Sequence, residues 1–290
     1  MQHILENDQL TVTVSTEGAE VQSVRNQATG QEYLWTADPS VWARHAPVLF
    51  PIVGKLKNDQ YQLGDETYQM TQHGFARDQE FKVIEQAPNQ ITLGLTASPK
   101  TTEQYPFNFA LDIIYQLTDN ALATTYRVLN HGSSAMPFSI GGHPGFLCPS
   151  QTDGHEEQYY LLFEQRETLS RQLLRDGLRT GETRPVLHDE QELALTPSLF
   201  EEDALVFADV ASGSVSIVPR STGQPLVTVR FPGFPYLGIW QKVGADFYCI
   251  EPWYGLADAT TTSGDFTEKE GIITLAPEEA FEATYSIVFH

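Results

Sequence analysis

The stretch Phe107-Asn108-Phe109-Ala110-Leu111-Asp112-Ile113-Ile114-Tyr115-Gln116-Leu117 decides the fold class. Phe107, Phe109, Leu111, Ile113, Tyr115 and Leu117 share one parity, while Asn108, Asp112 and Gln116 fall on the other. A period of two gives an extended chain one apolar and one wet face, whereas a helix repeats every three or four residues. Residues 281–289 repeat the pattern, with Phe281, Ala283, Tyr285, Ile287 and Phe289 alternating with Glu282, Thr284 and Ser286. Shorter runs of the same kind occur at Leu10-Val12-Val14, Ile91-Leu93-Leu95, Leu122-Thr124-Tyr126-Val128, Val215-Ile217 and Val227-Val229-Phe231. Turn-forming groups such as Thr29-Gly30, Asp119-Asn120, His131-Gly132-Ser133 and Ser221-Thr222-Gly223 stand between the alternating segments.

Many short strands without alternating helices predict an all-β protein, a large antiparallel β-sandwich with few short helices. Residues 164–174 are expected to form one of those helices, and residues 196–202 a single turn opened by Pro197. No repeat, low-complexity tract or linker divides the chain, so residues 1–290 are expected to form a single domain. The acidic stretches 153–157 and 201–203 read as solvated loops.

Composition narrows the function. Seventeen Lys+Arg against 38 Asp+Glu give a net charge of −21. Such a field repels phosphate backbones and anionic lipid, so neither nucleic acid nor membrane is an expected partner. The two cysteines, Cys148 and Cys249, make no disulfide framework and no zinc-knuckle spacing. The N-terminus, from Met1 through Glu6-Asn7-Asp8, lacks a basic start and an apolar stretch, and no apolar run is long enough to span a bilayer. A soluble, cytoplasmic protein is the expectation.

Phosphate-binding glycine loops, the GxSxG elbow and HExxH are missing, and neither His143 nor His155 has a second histidine at a ligand interval, so no metal is expected. Three segments combine an ionisable group with a constrained setting. In Gln72-His73-Gly74-Phe75-Ala76-Arg77, the glycine after His73 permits a sharp turn that presents the imidazole, but taken alone the segment reads first as a plain surface-loop histidine. In Ser139-Ile140-Gly141-Gly142-His143-Pro144-Gly145-Phe146, Pro144 biases His143 toward extended backbone and the glycines admit close neighbours, as a tight sandwich corner also would. In Phe247-Tyr248-Cys249-Ile250-Glu251-Pro252-Trp253-Tyr254, Glu251 shares a face with Phe247, Cys249 and Trp253. A carboxylate is expensive to bury there unless it stands at a strand end or has a task.

Taken in order, Arg44-His45-Ala46-Pro47-Val48-Leu49-Phe50-Pro51-Ile52-Val53-Gly54-Lys55-Leu56, His73-Gly74-Phe75-Ala76-Arg77, Gly141-Gly142-His143-Pro144-Gly145-Phe146 and Ile250-Glu251-Pro252-Trp253 resemble the aldose 1-epimerase (mutarotase) superfamily, and most closely its LacX-like branch. The resemblance implies interconversion of the α and β anomers of a free hexose such as galactose or glucose, without a cofactor. It implies His143 as general acid, Glu251 as general base and His73 as a second histidine on the ring-oxygen side. Asp203 resembles the aspartate that accepts hydrogen bonds from sugar hydroxyls, and Trp253 offers a flat face to the ring. The galactose mutarotases carry an arginine where this chain has Lys55, so Lys55 is expected to bind the sugar there; a lysine does not reproduce a planar two-point grip, which Arg77 or Arg44 could supply instead. Opening a pyranose needs a base at the anomeric hydroxyl and an acid at the ring oxygen, which the resemblance places on opposite sides of one carbon, with Glu251 favouring the charged imidazole. A hexose-6-phosphate 1-epimerase, served by Arg44, Lys55, Lys57 and Arg77, is the rival within the fold. A non-catalytic carbohydrate-binding protein, monomeric or homodimeric like the enzyme, is the rival outside it.

Overall fold

The computed structural model describes residues 1–152 and 155–290, and nearly every described element is a strand. The alternating segment becomes Phe109–Thr118, which buries Phe109, Leu111, Ile113, Tyr115 and Leu117 in turn. It pairs along its length with Ala121–Asn130, which pairs in turn with Ala280–Phe289. Both partners bury alternate residues against the same core.

These three lie within a 15-stranded antiparallel sheet. From one edge it runs Val48–Leu49, Ile140–Gly142, Phe247–Tyr254, Tyr236–Trp240, Leu205–Ala208 and Tyr159–Arg175. It continues through Ser214–Pro219, Val227–Arg230, Ala280–Phe289, Ala121–Asn130, Phe109–Thr118 and Gln90–Thr96 to Lys82–Ala87. Gly145–Leu147 also pairs with Phe247–Tyr254, and Leu178–Leu195 pairs with Tyr159–Arg175. A sheet of this extent twists and folds over itself. Side chains from Leu5 to Phe289 then meet in one continuous apolar core, giving the expected large β-sandwich.

One helix is overturned. Residues 164–174 lie inside the 17-residue strand Tyr159–Arg175. The alternation is present but written partly in charge. Glu167, Leu169 and Arg171 are buried, with Thr168 and Ser170 exposed between them. Glu167 Oε1 accepts from the Ser212 amide at 2.7 Å and from its hydroxyl at 2.6 Å, and Arg171 donates to Leu199 O and to Glu202. Partners distant in sequence thus make the buried charges tolerable, which no local propensity reports. The turn near Pro197 forms as the short 3-10 helix Pro197–Phe200. Of the acidic stretch 153–157, residues 153 and 154 lie outside the described residues. The stretch 201–203 is exposed, but Glu202 holds Arg171 and Arg184, and Asp203 reaches a cavity.

Candidate active site

Register brings the central pair together. Gly141 pairs with Trp253 and Gly145 with Cys249, on either side of a break at residues 143 and 144. Both pairings keep the same antiparallel register, and carried across the break it sets residue 143 opposite residue 251. His143 Nε2 lies 3.2 Å from Glu251 Oε2. The carboxyl side chain is only 1% exposed and the imidazole 10%. The period-two expectation for 247–254 holds. Phe247 and Cys249 pack on Trp35, Glu251 and Trp253 face the cavity, and Tyr248 and Ile250 join the opposite, main core.

The segments around Phe50 and His73 are zipped together. The amides of Phe75 and Ala76 donate to Phe50 O, and the His73 amide donates to Gly54 O at 2.9 Å. His73 and Gly74 have φ of 67° and 70°, and a Cβ on Gly74 would stand 2.3 Å from Phe50 O, so the turn and the close approach both require glycine there. The Gly54 amide donates to His73 Nδ1 at 3.1 Å. An imidazole that accepts at Nδ1 carries its proton on Nε2, so the backbone fixes the tautomer. His73 is a presented imidazole rather than a surface-loop one. Its ring centroid is 5.6 Å from that of His143, and Trp42 and Trp240 lie at 5.0 and 5.5 Å from His143.

The Trp253 indole lies across the sheet because its neighbours have no side chains. A Cβ on Gly141 would be 2.5 Å from Trp253 Cδ1, and one on Gly238 would be 2.5 Å from Cζ2 and Cη2. Leu49, Val53, Val206 and Leu256 pack around it.

These residues line a cavity of about 390 Å3, within the range of small-molecule sites. His143, Glu251, His73, Arg77, Asp203 and Trp253 all face it. Arg44 and Lys55 do not. Arg44 is spent on Arg77 O and Asp78, and Lys55 lays its stem against Gly177, which forms the wall in its place. Of the two substitutes considered for the family arginine, only Arg77 is at hand. It donates to Gln72 O, while its Nε is buried without a hydrogen-bond partner. Sequence reasoning missed Trp42, Gln72, Trp240 and Arg179 in the wall. Arg179 is held by Ala257 O, Gln172 and Glu270. Gln72 stands next to His73 but does not ionise, so its residue type carries no chemical signal. Trp240, in Tyr236–Trp240, shares parity with Gly238, the one local signal that it faces the same side.

Burial governs the electrostatics. Glu251 is pushed well above the usual carboxylate range, first by desolvation and then by the negative charge of Asp203, with the Trp253 indole N–H opposing. Desolvation draws His143 down to about 3, with a backbone contact opposing and Arg77 adding to the fall. His73 is held well below its ordinary value by desolvation, by His143 and by Arg77. Two expectations are corrected. Burial does not favour a charged His143, because desolvation lowers its pKa and the Glu251 carboxyl beside it is itself pushed toward the neutral form. Nor do acid and base stand on opposite sides of a gap, since they share one wall. Both shifts favour the uncharged forms, a protonated carboxyl on Glu251 and a neutral imidazole on His143. Cys249 lies behind the pair, and the ligand atoms of His143, Cys249 and Glu251 fall within 4.8 Å of one another, a grouping the sequence intervals did not show.

Residues 1–274 match the family described as Aldose 1-epimerase. The chromosomal protein LacX of Lactococcus lactis subsp. lactis is 32% identical over 293 residues, covering 98% of this chain and 97% of that one. A galactose mutarotase related enzyme from Lactobacillus acidophilus superposes with a TM-score of 0.95 at 36% identity, over 100% of this chain and 97% of that one. A galactose mutarotase-like protein from Lactobacillus casei does so with a TM-score of 0.94 at 32% identity, over the whole of both chains.

Proposed function

The chain belongs to the aldose 1-epimerase family, and from that premise we propose that it interconverts the α and β anomers of a free hexose such as galactose or glucose, with His143 as acid and Glu251 as base. The observation that carries the reading is the buried His143–Glu251 contact facing a cavity of sugar size. The hemiacetal hydroxyl and the ring oxygen share one carbon, so two groups side by side on one wall address both. The neutral pair holds the single proton the reaction needs. With that proton on the imidazole, Glu251 takes the hydroxyl proton as His143 protonates the ring oxygen, and the ring opens. Rotation about the first carbon–carbon bond turns the other carbonyl face to the attacking oxygen. Closure in reversed roles yields the other anomer and restores the pair. Trp42, Trp240 and Trp253 wall the cavity beside the two proton carriers with apolar rings, which lowers the local polarity and strengthens their electrostatics.

His73, locked as the Nε2–H tautomer and kept neutral, serves as a hydrogen-bond donor to the ring-oxygen side in exchange for the Gln72 side-chain amide, which lies 3.2 Å from its Nε2. Trp253 supplies an apolar face for the ring, Asp203 accepts from hydroxyls, and Arg77 takes the part expected of the family arginine. Residues 1–290 act as one domain in the cytoplasm, where the buried thiols Cys148 and Cys249 stay reduced. Polarimetry of freshly dissolved α-galactose and α-glucose with micromolar protein tests the activity. Acceleration over buffer is expected; its absence would leave a carbohydrate-binding protein.

One observation favours a second reading, a hexose carrying a 6-phosphate. Two guanidinium groups, Arg77 and Arg179, line the cavity, and Arg77 Nε is buried without a hydrogen-bond partner, its ion-pair partner Asp78 standing 4.0 Å away. Against it, Arg44, Lys55 and Lys57 stay out of the wall, Lys57 being tied to Thr260 O. Competition between free hexoses and their 6-phosphates separates the two.

A further inference from the structure

Sugar chemistry gives no task to Cys249. It precedes Glu251 by two on the same strand, so strand geometry turns both side chains to one side. The ligand atoms of His143, Cys249 and Glu251 lie within 4.8 Å of one another, and all three residues are buried. Imidazole nitrogen, thiolate sulfur and carboxylate oxygen are the donor types that zinc accepts. Three protein ligands with one open position is its arrangement where a fourth ligand is exchangeable. Nitrogen and oxygen donors about 2.0 Å from a tetrahedral metal are about 3.3 Å apart, and His143 Nε2 and Glu251 Oε2 are separated by 3.2 Å. That approach does not meet hydrogen-bond geometry, so Glu251 Oε2 is buried without a hydrogen-bond partner, as is His143 Nδ1. His143 and Glu251 face the cavity, which opens a path for a cation and leaves room for a water as fourth ligand.

We propose that His143, Cys249 and Glu251 form a binding site for zinc or a similar divalent cation, and that its occupancy arrests anomerisation by engaging the two groups that move protons. On binding, the Cys249 thiol and the Glu251 carboxyl release their protons to solvent through the cavity. The two negative charges then match the cation's two positive ones, so no net charge is added to the buried site. The inhibitory half of the proposal rests on the roles given above to His143 and Glu251, whereas the binding half does not.

The test titrates the full chain with cobalt(II) as a spectroscopic probe, then displaces it with zinc. The expected result is one equivalent bound, with a thiolate-to-cobalt charge-transfer band and the intense visible bands of tetrahedral cobalt. Cys249→Ser should lose the charge-transfer band and bind zinc more weakly by over roughly tenfold, whereas Cys148→Ser should change neither. Cys249 is not among the residues that line the cavity, so Cys249→Ser should turn over like wild type and resist zinc concentrations that stop wild type. A wild-type protein without the band, or a band that survives Cys249→Ser, would overturn the site. Should that variant fail to fold, Glu251→Gln retains the thiol, and unchanged zinc affinity in it would overturn the site equally. Zinc binding that leaves turnover intact would overturn the inhibitory half. A protein with the band but no epimerase activity would refute the proposed function and leave the metal site standing.

Discussion

Gly238→Ala is a one-carbon change whose effect follows from the sheet geometry. The added Cβ would sit 2.5 Å from Trp253 Cζ2 and Cη2, where carbon atoms settle at about 3.5–4.0 Å. The indole therefore has to retreat by about 1 Å. Leu49, Val53, Val206 and Leu256, all at least 96% buried, stand around it, and a close-packed interior gives way poorly. Overpacking of this kind costs about 1–3 kcal/mol, which in a chain of this size lowers Tm by several degrees, about 2–4 °C for each kcal/mol. Trp253 is two residues from Glu251 on the same strand, and a displacement of about 1 Å in a positioning group can cost on the order of 100-fold in rate. Polarimetric kcat/KM and near-ultraviolet circular dichroism melting of Gly238→Ala are the assays. Adding Trp253→Leu should recover much of the Tm, because space returns, and none of the sugar binding, because the flat face is gone. Wild-type kcat/KM and Tm in Gly238→Ala alone would refute the picture of an indole confined between two glycines.

Three further outcomes follow from the same site. The pH profile of kcat/KM reports the free enzyme, and catalysis needs one proton on the pair. Its acid limb should therefore fall where His143 takes a second proton, near pH 3, and its alkaline limb where the raised Glu251 loses its own; an acid limb at 6.5 would mean a solvated histidine. Folded Glu251 keeps a proton that the unfolded chain has lost above about 4.3, so its burial erodes stability as pH rises from there through the folded value. Glu251→Gln should thus gain Tm relative to wild type increasingly with pH and then level off, and a pH-independent difference would contradict the shift. Lys55→Met should leave KM close to wild type because the cavity wall excludes it, whereas Arg77→Met should raise KM severalfold; the reverse order in steady-state kinetics would put the lysine back in the site.

Strand alternation made the fold legible, because a half-buried sheet writes its two faces directly into residue order, as residues 109–118 and 280–289 show. It failed at residues 164–174, where the buried face includes Glu167 and Arg171, whose partners Ser212 and Leu199 lie far along the chain. The lining of the candidate site was legible wherever a titratable side chain stood beside glycine or proline, as at His73, His143 and Glu251. Arg179 escaped because nothing in its local sequence distinguishes it, and Lys55 misled because only the fold shows which side of Gly54 forms the wall. The electrostatics were misread for the same reason. Proximity of His143 and Glu251 suggested an ion pair, but the depth of burial, invisible in sequence, favours the neutral arrangement.

The paired proton carriers are tested most directly by anomeric exchange rates, measured by polarimetry, in His143→Asn, Glu251→Gln and the double variant. If the two groups act as a unit, each single change should cost about 100-fold or more, and the double should fall little below the slower single. Wild-type exchange in either single variant, in protein that still folds, would contradict the account.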